Sequence, residues 1–371
     1  MKLSYWEYKT WLTDIDFTIV GSGIVGLNCA LRLRERFPKA KILILEKGFL
    51  PQGASTKNAG FACFGSISEV VADLGSHSEQ EVIDLVAQRW KGIGLLRKKL
   101  GDQSIDFQVN GGHELFLDSA DALYLDCAER LPEINKLLQS VYGADAFHLG
   151  PNTFGFHKVK EKYITNSFEG QLHTGKMMNG LLRLVQAAGV LQLNSITVED
   201  FSGKASGVHV KTDRFEFVTR KLFIATNGFA AHLLNEEVQP ARAQVLITEP
   251  IADLHIKGTF HFDEGYYYFR NIDNRILFGG GRNLDLKGEE TDRFGCTPRI
   301  QERLEMLLKE VILPETPHKV AQRWSGIMGT GLQKKPIVKP ISDHVYCGLR
   351  LGGMGIAIGS AVGAQLADLT E

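Results

Sequence analysis

The feature that most constrains this chain is a glycine-rich turn near its N-terminus, Gly21-Ser22-Gly23-Ile24-Val25-Gly26. Before it, Asp16–Val20 (DFTIV) reads as a short buried strand. After it, Leu27, Ala30, Leu31 and Leu33 fall at helical spacing until Pro38 stops the helix. Lys41–Leu45 (KILIL) then reads as a second strand that ends at Glu46. Together these elements form a βαβ unit of about thirty residues. In such a unit Gly21 makes the tight turn, Gly23 lets the backbone approach a pyrophosphate, and Gly26 lets helix and strand pack closely. The helix start, Ser22 with Ile24 and Val25, offers free N–H groups and a partial positive charge to phosphates. Glu46, followed by Lys47, lies 20 residues after Gly26. That spacing places a carboxylate on ribose hydroxyls and disfavours a 2′-phosphate. The unit binds a dinucleotide, but by itself it does not choose between NAD and FAD.

The rest of the chain excludes several classes of function. Lys+Arg total 42 and Asp+Glu 43, with no basic block of five residues, so nothing suggests a nucleic-acid partner. No run of about 18 apolar residues suggests a membrane span. Met1–Thr13 lacks the basic and apolar regions of a secretory signal. Cys29, Cys63, Cys127, Cys296 and Cys347 are scattered without a CxxC pair. That fits neither a disulfide framework nor a zinc site, and it points to a reducing cytoplasm.

Beyond the first unit, Gln52–Gly65 reads as a small-residue loop. Ser78–Leu100, Ala120–Tyr142 and His173–Gly189 read as helices, the last capped by Thr174. Strands are expected around Gly111-Gly112 and over Leu191–Val198, Val208–Thr212, Phe215–Thr219 and Leu222–Ala225. A β-rich stretch covers Gln244–Gly281, with Tyr266–Arg270 and Arg275–Gly279 joined by a turn at Asn271–Asn274. Thr297–Val311 reads as helix, and Val345–Leu369 as strand, glycine turn and helix.

Four further segments carry a resemblance. Gly53-Ala54-Ser55-Thr56-Lys57-Asn58-Ala59-Gly60-Phe61 resembles the second flavin motif of the D-amino-acid oxidase-like family, which includes glycine, sarcosine and γ-glutamylputrescine oxidases. Leu222–Gly228 (LFIATNG) resembles the family's strand and loop over the FAD. Arg323-Trp324-Ser325-Gly326 resembles the segment leading back to the flavin domain. Tyr346–Leu366, with Gly352-Gly353-Met354-Gly355-Ile356, resembles the C-terminal flavin loop and helix. The four occur in the family's order over nearly the whole chain. The opening Ser4-Tyr5-Trp6-Glu7 is similar to members of the family as well.

The resemblance implies an α/β fold in which a Rossmann-type FAD-binding domain is interleaved with an α+β substrate domain built on a mixed or antiparallel sheet. The expected division gives 1–74, 146–242 and 323–371 to the FAD domain, and 75–145 and 243–322 to the substrate domain. It also implies that Ser55, Thr56, Lys57, Asn58, Ala59, Gly60 and Phe61 wrap the cofactor and that Val198 meets the adenine. Ala225, Thr226, Asn227 and Gly228, with Trp324 and Gly326, would approach the phosphates or ribityl chain. Gly352, Gly353, Met354, Gly355 and Ile356 would aim backbone N–H groups at the flavin O2 edge. Lys57 would neutralise phosphate or the reduced flavin. Ser325–Lys335 has no cysteine where sarcosine oxidases tether their flavin, so the FAD is expected to be non-covalent.

On the substrate side Tyr266, Tyr268 and Arg270 alternate and so share a strand face, leaving Tyr267 and Phe269 as the inward pair. A guanidinium beside tyrosine hydroxyls suits a carboxylate. Arg282 is a second candidate for an anion, whereas His113 and His173 read as structural. Sarcosine oxidases carry a lysine on the strand matching Ile276–Gly279 that helps oxygen react, and a substrate-binding lysine near Ala357. Neither is here. The resemblance therefore implies neither a sarcosine-type substrate nor O2 as oxidant, and it leaves room for an electron-acceptor partner. The expected activity is an FAD-dependent oxidation of the CH–NH bond of a small amine or amino acid. The alternatives are a non-enzymatic FAD-binding assembly protein and an NAD-dependent dehydrogenase.

Overall fold

A computed structural model describes residues 3–204 and 206–371. One eight-stranded sheet has as its spine, in order, Ile337–Ser342, Val345–Leu349, Glu216–Ile224, Ile15–Val20, Ile42–Glu46 and Leu191–Asn194. From Val345–Leu349 to Leu191–Asn194 the neighbours run parallel. Parallel strands covered on both faces are apolar throughout rather than alternating, and Ile15–Val20 and Ile42–Glu46 are nearly all buried accordingly. Helices Ile24–Arg36, Thr174–Ala187, Glu79–Leu100 and Gly355–Asp368 share the core on one side. Contact there is close enough that a Cβ on Gly92 would lie 2.0 Å from the Ala357 carbonyl oxygen. No helix among the described residues is long and apolar enough to cross a membrane.

A second eight-stranded sheet runs Val320–Thr330, Gln239–Thr248, Arg275–Gly280, Tyr267–Ile272, Thr259–Phe262, Gly112–Glu114, Lys162–Asn166 and Phe147–Pro151. It is antiparallel except where Thr259–Phe262 meets Gly112–Glu114. One face packs Phe260, Phe269, Phe278 and Leu246 against helix Pro298–Leu307. The other face is turned to the cavity described below.

The structure departs from expectation at several points, each with a physical reason. Strands Phe147–Pro151 and Lys162–Asn166 were expected with the FAD domain, yet they belong to the second sheet. Strands Gln239–Thr248 and Val320–Thr330 likewise run across the expected boundaries at 242 and 323. Glu216–Ile224 is one strand rather than two. Its first half pairs with Gly207–Thr212 and its second with Val345–Leu349, so the polar Arg220-Lys221 marks a change of partner instead of a break. Helix Thr174–Ala187 is capped by the His173 side chain, which accepts the Lys176 N–H at 3.2 Å. Thr174 instead donates its hydroxyl to Asn58 Oδ1 at 2.8 Å. Helix Ile67–Leu74 was not foreseen, although its capping box, Ser66 with Glu69, was there to be seen as S-x-x-E.

Candidate active site

The N-terminal turn adopts the geometry its glycines allow. Gly21 has φ +102°, and a Cβ there would lie 2.8 Å from the Ala225 carbonyl oxygen. A Cβ on Gly26 would sit 2.0 Å from the Gly21 carbonyl oxygen, so helix and turn meet backbone to backbone. Glu46, at the end of the second strand, is 6% exposed. Its Oε2 accepts the Ser22 N–H and hydroxyl at 2.9 and 2.8 Å, and Oε1 accepts the Gly48 N–H at 3.0 Å. Ser22 and Gly26 thus brace the site from behind. Gly21, Gly23, Ile24, Val25, Glu46, Lys47 and Val198 line a cavity of about 1130 Å³. Ligand pockets are usually ~300–1,000 Å³, so this one has room for an extended cofactor and a second molecule.

The loop after the second strand is folded onto the same cavity. Ser55 Oγ accepts the Ile24 N–H at 2.9 Å, meeting one of the free donors at the helix start. Asn58 Nδ2 donates to the Ala54 and Ser55 carbonyls, and its Oδ1 accepts from Gly60 N at 2.9 Å. Trp324 Nε1 donates to the Lys57 carbonyl at 2.9 Å, tying the loop to the second sheet. Ser55, Lys57, Asn58, Ala59, Phe61 and Gly326 line the cavity. Thr56, Gly60 and Trp324 stand behind it, with Thr56 donating to Pro51 O at 2.6 Å. The Lys57 ammonium lies 5.2 Å from the centre of the Phe294 ring.

Ala225, Thr226 and Asn227 form another stretch of wall. Asn227 is left-handed, and its Oδ1 accepts the Leu351 N–H at 3.3 Å. Gly228 lies behind, against the Met328 carbonyl. Gly352, Gly353, Met354, Gly355 and Ile356 close the far side, where helix Gly355–Asp368 begins with N–H groups that have no intrahelical partner. Two observations fit a dinucleotide cofactor here. The buried Thr226 Oγ1 has no hydrogen-bond partner, and nothing stands within 4 Å of where Cβ atoms on Gly352 and Gly353 would be.

The remaining wall belongs to the second sheet. Strand register sets Glu114 beside His261, His261 beside Tyr268, Tyr268 beside Gly279, Gly279 beside Val245, and Val245 beside Trp324. Of that row, His261, Tyr268 and Val245 line the cavity. A Cβ on Gly279 would lie 2.7 Å from the Tyr268 ring, so glycine makes room for it. Phe61 meets both His261 and Tyr268 edge-on, at 5.1 and 5.6 Å between ring centres. Tyr266, Tyr268, His261, Glu69, Glu264 and Arg282 line this end.

Tyr266, Tyr268 and Arg270 were expected to converge on one ligand, and they do not. Arg270 shares the strand face of Tyr268 but lies two residues, roughly 7 Å, further along. It passes beneath the cofactor loop, where Nη1 donates to the Leu172 and Gly60 carbonyls at 2.9 and 3.3 Å. Burial lowers its pKa to about 10. Arg282 and Arg293 are the arginines that line the cavity. Tyr267 and Phe269 are the inward pair, as expected.

His261, Glu69, Glu264 and Cys63 line the cavity without having been singled out from sequence. His261 lies in the run Thr259-Phe260-His261-Phe262, whose alternation sets it opposite the core phenylalanines. Burial lowers its pKa and outweighs the opposing charge of Glu69, so the ring is neutral. Two further carboxyls lie underneath. Glu114 takes Ser68 N–H at 3.0 Å and the Ser68 hydroxyl, and Glu169 Oε1 takes Phe64 and Gly65 N–H at 2.7 and 3.3 Å. Burial pushes Glu114 up to about 7 and Glu169 up to about 8, and Glu69 adds to both shifts.

Comparison with known proteins bears on the same site. The profile of the DAO family, described as FAD dependent oxidoreductase, matches residues 16–369. The chain belongs to this family. As a DAO-family protein it is an FAD-dependent oxidoreductase. The probable oxidoreductase OrdL of Haemophilus influenzae is 24% identical over 97% of this chain and 83% of its own. The gamma-glutamylputrescine oxidoreductase of Escherichia coli is 22% identical over 95% of this chain and 83% of its own. Among solved structures, glycine oxidase from Geobacillus kaustophilus superposes with TM-score 0.76 at 18% identity, covering 96% of this chain and 95% of that one. L-proline dehydrogenase from P. horikoshii gives 0.74 at 17% identity, covering 96% and 93%. Both likenesses show the fold.

Proposed function

We propose that this DAO-family enzyme oxidises the carbon–nitrogen bond of a small amine at the end of the cavity lined by His261, Tyr266 and Tyr268. One observation carries the reading: a single cavity runs from the dinucleotide turn to the side-chain row of the second sheet. FAD, which the turn at Gly21–Gly26, the loop at Ser55–Phe61 and the Gly352–Ile356 stretch would hold, would supply a two-electron acceptor for the hydride on the carbon next to nitrogen, and water would hydrolyse the resulting imine.

What the chain contributes is position and a dry wall. Phe61 packs edge-on to His261 and Tyr268 and excludes water between loop and sheet. Burial lifts the Tyr268 phenol to about 12 and lowers His261, so both are neutral. A neutral, desolvated wall favours the uncharged amine, the form that can lose hydride. No side chain is then needed to take a proton during the step. Lys57 places a cation on the cofactor wall, and Arg282 offers the place for a substrate carboxylate. Arg270 holds the loop on the sheet.

The acceptor of the electrons is a separate matter. Leu277, on the strand where the resemblance would put an oxygen-activating lysine, packs with Ala59 and Val245 in an apolar cluster. That favours an acceptor other than O2.

Anaerobic titration of the holoprotein with a panel of amines and amino acids tests the reading. Bleaching of the flavin by at least one of them is expected, followed by reoxidation that is slow in air and fast with a quinone dye. A flavin left oxidised by every member would overturn it.

A further inference from the structure

The sheet end of the cavity carries acids that the proposed chemistry does not use. Glu69 stands in the first turn of helix Ile67–Leu74, and its Oε2 accepts the Ser66 N–H at 3.0 Å. Its Oε1 stands toward Gly265, 3.9 Å from where a Cβ there would be. The adjacent Glu264, held left-handed with Asp263 in the turn before Tyr266, lines the cavity too. Among the described residues neither Glu69 nor Glu264 is in an ion pair. Of the cations, Arg282 lines this end as well, and Lys334 lines the cavity but is held on Asp73 at 2.6 Å. Arg89, buried nearby, spends Nη1 on the Phe64 carbonyl at 2.5 Å.

A second observation marks this end as a place for a ligand. His261 is 7% exposed and lines the same cavity, and its Nε2 has no hydrogen-bond partner. A buried polar atom left without a partner is destabilising unless something fills the role. The charge of Glu69 reaches its surroundings, adding to the rise of the buried Glu114, Glu169 and Cys63.

A carboxylate next to the reacting nitrogen would keep that nitrogen protonated, and the carbon beside it could not then give up hydride. The carboxylate therefore suits a different positive group on the same molecule. We propose that Glu69, assisted by Glu264, binds a cationic group of the substrate other than the amine that is oxidised, so that the enzyme prefers diamines to monoamines. The inference rests on the amine-oxidising reading above.

The test uses holoenzyme titrated anaerobically with butane-1,4-diamine and butylamine. The shift of the flavin spectrum reports binding and its bleaching reports reduction. The diamine is expected to bind about tenfold more tightly than butylamine, with the preference shrinking as salt is raised. Glu69→Gln keeps a capping-box residue and is expected to bring the ratio to within roughly threefold of one. Ala72→Arg is the second variant. It leaves Glu69 in place and puts a cation on the same helix, also at the cavity, and it is expected to abolish the preference. Flavin content and melting temperature establish that each variant is folded. Equal affinities in the unmodified enzyme, or a preference that survives both substitutions, would overturn the proposal. A diamine preference without bleaching by any amine keeps the anchor and removes the oxidation reading. Bleaching by monoamines with no gain from the diamine does the reverse.

Discussion

Along the cofactor wall the groups offered to a ligand are mostly backbone, set by Gly21, Gly23 and Gly352–Ile356, and the side chains there brace one another. Along the sheet wall they are side chains, His261 and Tyr268 on strands whose backbone is consumed in pairing, with Tyr266, Glu69 and Arg282 on the turn and short helices beside them. A backbone wall suits a ligand with a fixed shape and phosphates to be met by N–H groups. A side-chain wall can be changed one residue at a time without disturbing the strands that carry it. The difference teaches where this enzyme is constrained and where it is adaptable.

Substitutions can break that contrast or sharpen it. The largest effect is expected from Gly21→Val, since an added Cβ meets the Ala225 carbonyl at 2.8 Å in a left-handed position. Purified protein should carry less than about a tenth of the normal flavin per chain, read from the visible-to-ultraviolet absorbance ratio. Normal flavin content in this variant would mean that the turn does not hold the cofactor. Tyr268→Ala and His261→Ala should do the opposite, leaving flavin content intact while slowing flavin reduction by an amine roughly 10–100-fold, or about 1.4–3 kcal/mol. Loss of flavin in either would dissolve the distinction between the walls.

Arg270→Leu removes two buried hydrogen bonds to carbonyls, a cost of about 2–4 kcal/mol. It should lower the unfolding free energy without changing the apparent affinity for substrate. A large rise in KM at normal stability would return Arg270 to the substrate. Ser55→Ala, which takes one partner from Ile24 N, should cost only about 1 kcal/mol.

A pH dependence should separate the carboxyls beneath the sheet wall from the rest. Glu169 is raised to about 8 and Glu114 to about 7, so the folded state holds protons that the unfolded chain has released. Their stabilising contribution is full below the unfolded carboxyl range and is lost as pH rises through the folded values. The lowered histidines His113 and His261 act in the opposite sense, but below about their ordinary pKa of 6.5. Between about pH 6.5 and 8 stability should therefore fall by roughly 1–2 kcal/mol. Glu169→Gln should flatten that slope in urea unfolding, and an unchanged slope would show that Glu169 does not titrate there.

The same contrast explains what could be read from sequence. Glycines that must adopt unusual backbone or admit close contact leave a spacing in the chain, so the turn at Gly21–Gly26, the loop at Gly53–Phe61 and the tail at Gly352–Ile356 were legible. All three reach the cavity. Arg270 was misplaced because alternation fixes a strand face but not how far along it a residue lies. His261 and Glu69 were passed over because their meeting depends on pairing between distant strands and on a helix of eight residues too short for a strong periodic signal. Glu114 and Glu169 gave no sign either, since only the fold buries them.

The central position of strand Glu216–Ile224 has a consequence for how the enzyme is made. It lies between Ile15–Val20, near the start of the chain, and Val345–Leu349, near its end. The N-terminal unit therefore emerges from the ribosome long before its neighbours exist, and the last stretch of cofactor wall follows Val345–Leu349. Flavin capture must wait until the Gly352–Ile356 stretch has been synthesised. Until then the nascent chain presents unpaired strand edges that pairing partners hundreds of residues away will cover only later.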